Sequence, residues 1–286
     1  MSFPEIITEN KSIQLAMKNI RSTSQTLGLV PTMGALHAGH LSLVEESNKK
    51  CDITVVTIFV NPMQFDDETD LQKYPRDIGS DISVLKQLSV DFVFAPSPEQ
   101  LYPAGYGLSV DVGPLGRILE GRFRPGHFSG VATILLKLFH LIPADIAFFG
   151  RKDYQQLKVV QQIVKDTNLP IEIVGCPTVR EHDGLAMSSR NQFLSPAERQ
   201  RAGCIFQSLE KAQELVDNGE RSAKRIMISM RQHIYQAKGK VDYVALVNPE
   251  TLQPTLDLTE NTFAVIAARM GTIRLLDNRL LKVSNR

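Results

Sequence analysis

The sequence has few cysteines, almost no net charge and no long apolar run. Its three cysteines are odd in number and far apart, which predicts a reducing cytoplasm rather than a disulfide framework. The 32 basic residues nearly balance the 31 acidic ones, so we expect neither a dedicated nucleic-acid-binding protein nor a nucleic-acid partner. The longest apolar stretch, residues 131–142, is interrupted by a lysine and a histidine and is too short to span a bilayer. The first residues are acidic and soon reach a proline, so no secretory signal is expected.

Short apolar runs alternate with helical patterns through the first two-thirds of the chain. The runs predict strands at residues 27–32, 53–60, 91–95, 145–149 and 171–174, and the patterns between them predict helices at 39–50, 78–88, 128–141 and 154–167. Few polar residues interrupt the runs, as expected for strands that helices cover on both faces. The alternation predicts a Rossmann-like α/β domain with a doubly wound parallel sheet over residues 1–178.

The pattern changes after Val179. Ser195, Pro196 and Glu198 form a capping box with proline at the first helical position, which predicts a long helix running to about residue 219. A second helix is predicted at about 221–237, and strands are predicted at 241–247, 263–268 and 272–276. These elements predict a smaller α+β domain over residues 179–286.

The strongest local signal is Pro-Thr-Met-Gly-Ala-Leu-His-Ala-Gly-His at residues 31–40, where a predicted strand ends and a helix begins. Gly34 allows a tight turn, and Gly39 allows a ligand to approach the first helical turn closely. The unpaired N–H groups of that helical turn favour phosphate. His37 and His40 are three residues apart and therefore share one side of the helix, where both can donate to phosphate oxygens.

Other kinds of site fit these residues less well. A zinc site would need further ligands, and there is no Cys-x-x-Cys or nearby third histidine. A dinucleotide site would show Gly-x-Gly-x-x-Gly after the first strand of the sheet, and that pattern is absent. Residues 116–123 have the glycine spacing of a phosphate-binding P-loop, but Arg122 replaces its lysine and Phe123 its hydroxyl residue.

Two further segments carry the same kind of chemistry. Residues 148–156 again join an apolar strand, a glycine and a polar helix start, with Lys152 as a compact charge for phosphates. Asp153 in this segment also suits a helix N-cap. Residues 183–191 contain two hydroxyls and a guanidinium in a glycine-bearing loop, a composition that can form a closing phosphate clamp.

His-Ala-Gly-His resembles the HxGH signature of nucleotidylyltransferases and class I aminoacyl-tRNA synthetases. Over residues 30–195 the chain more closely resembles the pantothenate synthetase (pantoate–β-alanine ligase) family. The resemblance rests on six segments that occur in the family's order: PTMGALHAGHLSLV, TIFVNPMQF, YPRD, LEGRFRPGHFSGVATILLKLF, FFGRKDYQQL and VREHDGLAMSSRNQFLS.

The resemblance implies roles for individual residues. It gives His40 the role of catalytic acid, with His37 and Lys152 also acting on the phosphates. It assigns Gln64 and Gln156 to pantoate and β-alanine. It implies that ATP contacts Met33, Gly34, Ala35, Leu36, His37, Ala38, Gly39, His40, Gly150, Arg151, Lys152, Asp153, Val179, Met187, Ser188, Ser189 and Arg190. Position 151 is often glutamate in the family, so the resemblance carries only a backbone role to Arg151.

The resemblance also implies a two-step reaction. The pantoate carboxylate attacks the α-phosphate of ATP, and the amine of β-alanine then attacks the pantoyl adenylate. Mg²⁺ is expected to bind mainly through ATP phosphates, with Asp81 as a candidate outer ligand. The acidic residues between 66 and 70 are interpreted as a solvated loop. The family further implies a homodimer whose smaller domain closes over the nucleotide, and no membrane partner is expected.

Two alternative functions stay open at this point. A nucleotidylyltransferase that moves AMP or CMP to a phosphate-bearing acceptor would share the first motif, but it would not explain MQF, RPGHF and MSSR together. A non-catalytic nucleotide sensor would bind ATP without releasing pyrophosphate. A synthetase acting on tRNA would require a strongly basic face, which a net charge of +1 does not suggest.

Overall fold

The computed structural model describes residues 3–283, and the chain divides into two compact units. The first unit contains the chain up to Arg151 together with Gln155–Pro177. The second contains Lys152–Tyr154 together with the chain from Thr178 onward. The predicted division after residue 178 thus lies one residue from the junction at Pro177. The assignment of Lys152–Tyr154 to the second unit has no counterpart in the sequence pattern.

A parallel sheet forms the centre of the first unit, as predicted, and among the described residues it has six strands rather than five. Its strands run in the order β1-β4-β3-β2-β5-β6, and each neighbouring pair is parallel. They are β1 (Glu5–Ile7), β2 (Leu27–Thr32), β3 (Ile53–Ile58), β4 (Phe92–Phe94), β5 (Ile146–Gly150) and β6 (Glu172–Cys176). The inner strands are apolar along their length because side chains on both faces are buried.

Helices connect the strands of this unit. They are α1 (Asn10–Arg21), α2 (Ala38–Lys50), α3 (Glu68–Lys73), α4 (Ile78–Leu85), α5 (Pro98–Leu101), α6 (Glu120–Phe123), α7 (His127–Leu141) and α8 (Tyr154–Asp166). The predicted helices correspond to α2, α4, α7 and α8, whereas β1 and α1 were not predicted. Helix α1 does carry a helical pattern that could have identified it, because Ile13, Met17 and Ile20 recur at helical spacing.

The strand order reverses beside β2. From β2 the chain continues outward through β3 and β4, and it later continues on the opposite side through β5 and β6. Strand β2 therefore pairs with both β3 and β5, with Leu29 opposite Val55 on one side and Ala147 on the other. The carboxyl ends of β2 and β5 flank this switch point, and open α/β sheets bind their ligands in the crevice beyond such ends.

Up to residue 283, the second unit contains three α-helices and a three-stranded antiparallel sheet in the order β7-β8-β9. Its elements are α9 (Pro196–Ala202), α10 (Cys204–Asp217), α11 (Ala223–Gln236), β7 (Lys240–Val247), β8 (Thr262–Met270) and β9 (Ile273–Leu281). Its apolar core joins helix residues such as Leu209 and Ile226 to strand residues such as Ile266. This arrangement confirms the predicted α+β character. Within residues 3–283, no helix is both long enough and apolar enough to cross a membrane.

The prediction of one long helix from Ser195 to about residue 219 is wrong. The capping box is present, because Ser195 Oγ accepts from the Glu198 amide and Glu198 Oε2 accepts from the Ser195 amide. The helix nevertheless ends at Ala202, and α10 begins after Gly203. A Cβ on Gly203 would lie 3.2 Å from the Asp183 carbonyl oxygen. Another loop thus lies close to the backbone at the break, a contact that helical periodicity does not report.

Candidate active site

The turn between β2 and α2 has an unusual backbone. Gly34 and Ala35 both have left-handed conformations, with φ of 81° and 51°. A Cβ on Gly34 would lie 2.8 Å from Asp81 Oδ2. Glycine is thus required at position 34 both for its conformation and for the close approach of the carboxylate.

Asp81 of α4 holds this turn. Its Oδ2 accepts from the Ala35 amide at 3.0 Å, and its Oδ1 accepts from the Leu36 amide at 2.7 Å. The carboxylate is buried, and burial raises its pKa, while the bonds from Leu36 and Ala35 act in the opposite direction. The structure gives Asp81 a direct part in shaping the turn, and its role as an outer Mg²⁺ ligand stays a prediction.

His37 and His40 form a reciprocal cap at the start of α2. His37 Nδ1 accepts from the Gly39 amide at 3.1 Å, and His40 Nδ1 accepts from the His37 amide at 3.3 Å. Their ring centroids are 4.1 Å apart. Because each Nδ1 accepts a backbone hydrogen, the ring hydrogen lies on Nε2. Both histidines can therefore donate through Nε2 at the carboxyl end of β2.

Gln64 lies close to this turn. Its Nε2 is 2.8 Å from Met33 Sδ, so the structure brings together two residues that the sequence predicted separately. The Gln64 carbonyl oxygen accepts from His127 Nδ1 at 2.7 Å and from Arg124 Nη2 at 3.1 Å. These two bonds fix the backbone of the turn Pro62–Gln64, and with it the position of the Gln64 amide.

Asn61 is a further residue of this region that sequence reasoning missed. It is 1% exposed, and its Nδ2 donates to Gln64 Oε1 and to the Gly130 carbonyl, both at 3.1 Å. Its Oδ1 accepts from the Tyr102 hydroxyl at 2.7 Å and from the Met63 amide at 3.3 Å. Asn61 therefore orients the Gln64 side chain. No local sequence signal distinguishes such a buried asparagine from one in an ordinary Asn-Pro turn.

The two adjacent glutamines of α8 have different environments. Gln155 is buried, and its amide bonds the backbone of residues 115–120 through Leu115, Ile118 and Glu120. Gln156 is half-buried, and its side chain makes no hydrogen bond within the described part of the chain. The second glutamine is thus the one that has amide groups available for a ligand.

The structure assigns a definite contact to Arg151, which follows the end of β5. Its Nε donates to the Gly175 carbonyl at 2.9 Å, so its side chain lies along β6. Lys152 and Asp153 come next in the chain, with Lys152 Nζ 3.4 Å from Asp153 Oδ1, and both group with the second unit. Gly150 and Arg151 stay with the first unit, so the predicted ATP-contact segment is divided between the two.

Val179 and Met187 face each other across a short hairpin. The Met187 amide donates to the Val179 carbonyl at 3.0 Å, and the Glu181 amide donates to the Leu185 carbonyl at 2.8 Å. Gly184 at the bend has a φ of 86°. The hairpin therefore brings two residues of the predicted nucleotide site together in the second unit.

The end of the hairpin and the segment after it are also anchored. Asp183 forms a bidentate ion pair with Arg199 of α9, and its hydrogen bond to that guanidinium lowers the Asp183 pKa. Ser188 Oγ accepts from the Arg190 amide at 3.3 Å and so caps the short 3-10 helix Ser189–Phe193. The predicted residues Met187, Ser188, Ser189 and Arg190 thus form one ordered segment.

The fold and the site together define a class of protein. An open parallel sheet with a His-x-Gly-His helix start at its switch point is the arrangement of α/β proteins that bind nucleotides. A model of the family described as pantoate-beta-alanine ligase matches residues 5–280. The chain therefore belongs to the pantoate–β-alanine ligase family.

Individual relatives agree with this assignment over nearly the whole chain. The pantothenate synthetase of Aquifex aeolicus is 46% identical over 278 residues, which cover 96% of this chain and 98% of that protein. The crystal structure of pantothenate synthetase from Thermus thermophilus has a TM-score of 0.92 and 40% identity, covering 97% and 99% of the two chains. A pantoate-beta-alanine ligase from Francisella tularensis, complexed with beta-gamma ATP and beta-alanine, has a TM-score of 0.80 and 34% identity, covering 97% of each chain.

Proposed function

We propose that this chain catalyses the ATP-dependent condensation of (R)-pantoate with β-alanine to give (R)-pantothenate, AMP and pyrophosphate. The observation that carries the proposal is membership of the ligase family over residues 5–280. The related structure complexed with beta-gamma ATP and beta-alanine supports the choice of ATP and β-alanine as substrates. The chain is thus an enzyme that joins an acid to an amine.

In the proposed first step, the pantoate carboxylate attacks the α-phosphate of ATP, and the bond from this phosphorus to the leaving pyrophosphate breaks. Negative charge then increases on the phosphate oxygens, where the Nε2–H groups of His37 and His40 can donate. We assign His40 as the catalytic acid, with His37 and Lys152 stabilising the phosphates. In the second step the β-alanine amine attacks the pantoyl carbonyl and releases AMP. Neither step requires an enzyme nucleophile, so catalysis relies on positioning and charge stabilisation.

The proposed nucleotide site is built from four segments. In the first unit they are the helix start Met33–His40 and the residues Gly150 and Arg151. In the second they are the pair Lys152 and Asp153, and the hairpin residue Val179 with Met187–Arg190. Backbone N–H groups at a helix start favour phosphate, which supports the first of these assignments. We further propose that the second unit closes over the nucleotide during turnover.

Gln64 and Gln156 are the proposed ligands of pantoate and β-alanine. A carboxamide can donate to a carboxylate and accept from a hydroxyl, which are the groups that pantoate carries. The fixed backbone of Gln64 supports its role, because a preorganised ligand loses less freedom when substrate binds. The contrast between Gln156 and the fully bonded Gln155 supports the choice of Gln156.

We propose that Mg²⁺ accompanies ATP and is held mainly by phosphate oxygens, with Asp81 as a candidate outer ligand. Each Asp81 oxygen accepts one turn amide and retains a lone pair, so the residue is compatible with this role. Bound Mg²⁺ would neutralise charge on the phosphates. The low and scattered cysteine content supports a cytoplasmic setting, and the family resemblance supports a homodimer.

ATP–pyrophosphate exchange tests this proposal directly. We expect labelled pyrophosphate to enter ATP when pantoate is present and β-alanine is absent, because the adenylate step is reversible. Omitting pantoate should abolish the exchange. If ATP binds but no pantoate-dependent exchange occurs, the adenylate intermediate is wrong.

A further inference from the structure

Strand β9 holds the backbone of Lys152. Asn278 of this strand is 7% exposed, and its Nδ2 donates to the Lys152 carbonyl at 2.6 Å. Tyr154, two residues further along, stacks on Phe263 with ring centroids 3.8 Å apart. Its hydroxyl also donates to the Pro249 carbonyl at 3.0 Å. These contacts explain why Lys152–Tyr154 groups with the second unit although the residues on either side belong to the first.

The neighbouring residue of β9 holds the Val179–Met187 hairpin. Asp277 is 3% exposed and forms a bidentate ion pair with Arg180, with N–O distances of 2.7 and 3.0 Å. Arg180 Nη1 also donates to the Gly184 carbonyl at 3.0 Å, and its guanidinium lies 4.3 Å from the centroid of the Phe206 ring. Asp277 of β9 therefore holds Arg180 in one strand of the hairpin, and Arg180 in turn holds the bend at Gly184.

We propose that Asp277 and Asn278 are positioning residues for the adenylation step. Neighbouring side chains of a strand point to opposite faces, so two adjacent residues can reach two different segments. Through Asn278 the strand fixes Lys152, and through Arg180 it fixes the hairpin that carries Val179 and Met187. The register of one strand thus sets the spacing between the lysine and the nucleotide-binding loop.

The energetics of the ion pair agree with a positioning role. Burial raises the pKa of Asp277, and the Arg180 guanidinium opposes this rise. A buried ion pair gives little net stability compared with apolar residues of the same volume. What it does supply is a fixed bidentate geometry. The inference rests on the proposed roles of Lys152 and the hairpin in binding ATP.

The first test is Asn278→Ala, assayed by single-turnover release of pyrophosphate from ATP and pantoate. We expect a decrease of about 10- to 100-fold, the range for a catalytic group displaced by about 1 Å. The matched control is Asp242→Asn, since Asp242 lies in the same sheet and pairs with Arg274 at 2.6 Å. The control should lose thermal stability without a slower release of pyrophosphate. A release rate in Asn278→Ala that equals wild type would overturn the proposal.

A double-mutant cycle with Lys152→Ala separates positioning from general damage. If Asn278 acts through the lysine, adding Asn278→Ala to Lys152→Ala should change the rate by less than about twofold. If the double variant instead shows the product of the two separate rate decreases, Asn278 does not act through Lys152. If truncation gives no folded protein, Asn278→Asp provides the same test, because an ionised carboxylate of similar shape cannot donate.

The role of the Asp277–Arg180 ion pair in holding the hairpin is tested by hydrogen exchange in Asp277→Asn. We expect protection of the Met187 and Glu181 amides, which bond across the hairpin, to decrease at least about tenfold. The Asp242→Asn control should retain that protection. Equal protection in both variants would overturn the role of Asp277 in holding the hairpin. Wild-type protein that releases no pyrophosphate would instead refute the proposed function, so the two failures are distinguishable.

Discussion

Gly130→Ala would displace the turn that carries Gln64. Gly130 lies in α7 against this turn, and an added Cβ would lie 2.1 Å from the Met63 carbonyl oxygen, 2.4 Å from the Met63 carbonyl carbon and 2.7 Å from the Gln64 nitrogen. All three are backbone atoms, so a change of rotamer cannot relieve the contact. The Gly130 carbonyl also accepts from Asn61, which ties the helix to the same turn.

The expected magnitude follows from these distances. Ordinary van der Waals contact begins at 3.4 Å, so the Met63 carbonyl must move away from the added Cβ by more than ~1 Å. Overpacking of this kind costs about 1–3 kcal/mol, which corresponds to a decrease of several degrees in Tm. Gln64 moves with its backbone, so we expect pantoate affinity to fall about tenfold, equivalent to the loss of one hydrogen bond.

Calorimetric titration with pantoate and with ATP, together with thermal unfolding, measures these effects. We expect ATP affinity to stay within about twofold of wild type, because the helix start at Gly39 does not depend on this contact. Gly107→Ala is the matched control, since no atom lies within 4 Å of its added Cβ, and it should bind pantoate as wild type does. Equal pantoate affinity and Tm in Gly130→Ala and wild type would refute the reasoning. An equal decrease in affinity for pantoate and for ATP would also contradict a displacement confined to this turn.

Three other predictions follow from the site and the core. His40→Ala should slow single-turnover pyrophosphate release by ~100-fold or more, because a donor to the transition state is lost, and an unchanged rate would contradict its assignment. The raised pKa of Asp81 means that the folded state binds its proton more tightly than the unfolded state does. Wild type should therefore lose stability relative to Asp81→Asn as pH rises from about 4 through the raised pKa, and parallel urea-unfolding midpoints at every pH would exclude this effect. Burial raises the pKa of Cys204 to about 11 and also raises that of Cys176, so native protein at pH 8 should react with a thiol reagent at least about 100-fold more slowly at these positions than urea-unfolded protein. Rapid labelling of either residue in folded protein would show that its burial is wrong.

Much of the first unit could be predicted because its signals are local. Apolar runs such as β2 are continuous since both faces are buried, and the glycine and histidines that follow mark a strand end and a helix start. Strand β1 was missed because only one of its three residues, Ile7, is buried. The break at Gly203 has no periodic signal, and the loop that lies close to it is some twenty residues earlier in the chain.

The supporting contacts of the candidate site could not be predicted for the same reason. Asn61 reaches Gly130 across 69 residues, and Arg180 reaches Asp277 across 97. A single sequence assigns a buried polar residue no partner, because hydrogen bonds of this kind leave no periodic pattern. The residues that contact substrate lie in recognisable motifs, whereas the residues that hold them in place are scattered along the chain.

The assignment of Lys152–Tyr154 to the second unit limits how the gene can be divided. A fragment ending at Pro177 would contain this segment but would lack Phe263 and Asn278, which hold it. A fragment beginning at Thr178 would contain those partners without the lysine. Recombination at the apparent boundary would therefore break the second unit rather than exchange it whole. The two halves of this ligase cannot be separated at Pro177 without losing these contacts, although each has its own sheet.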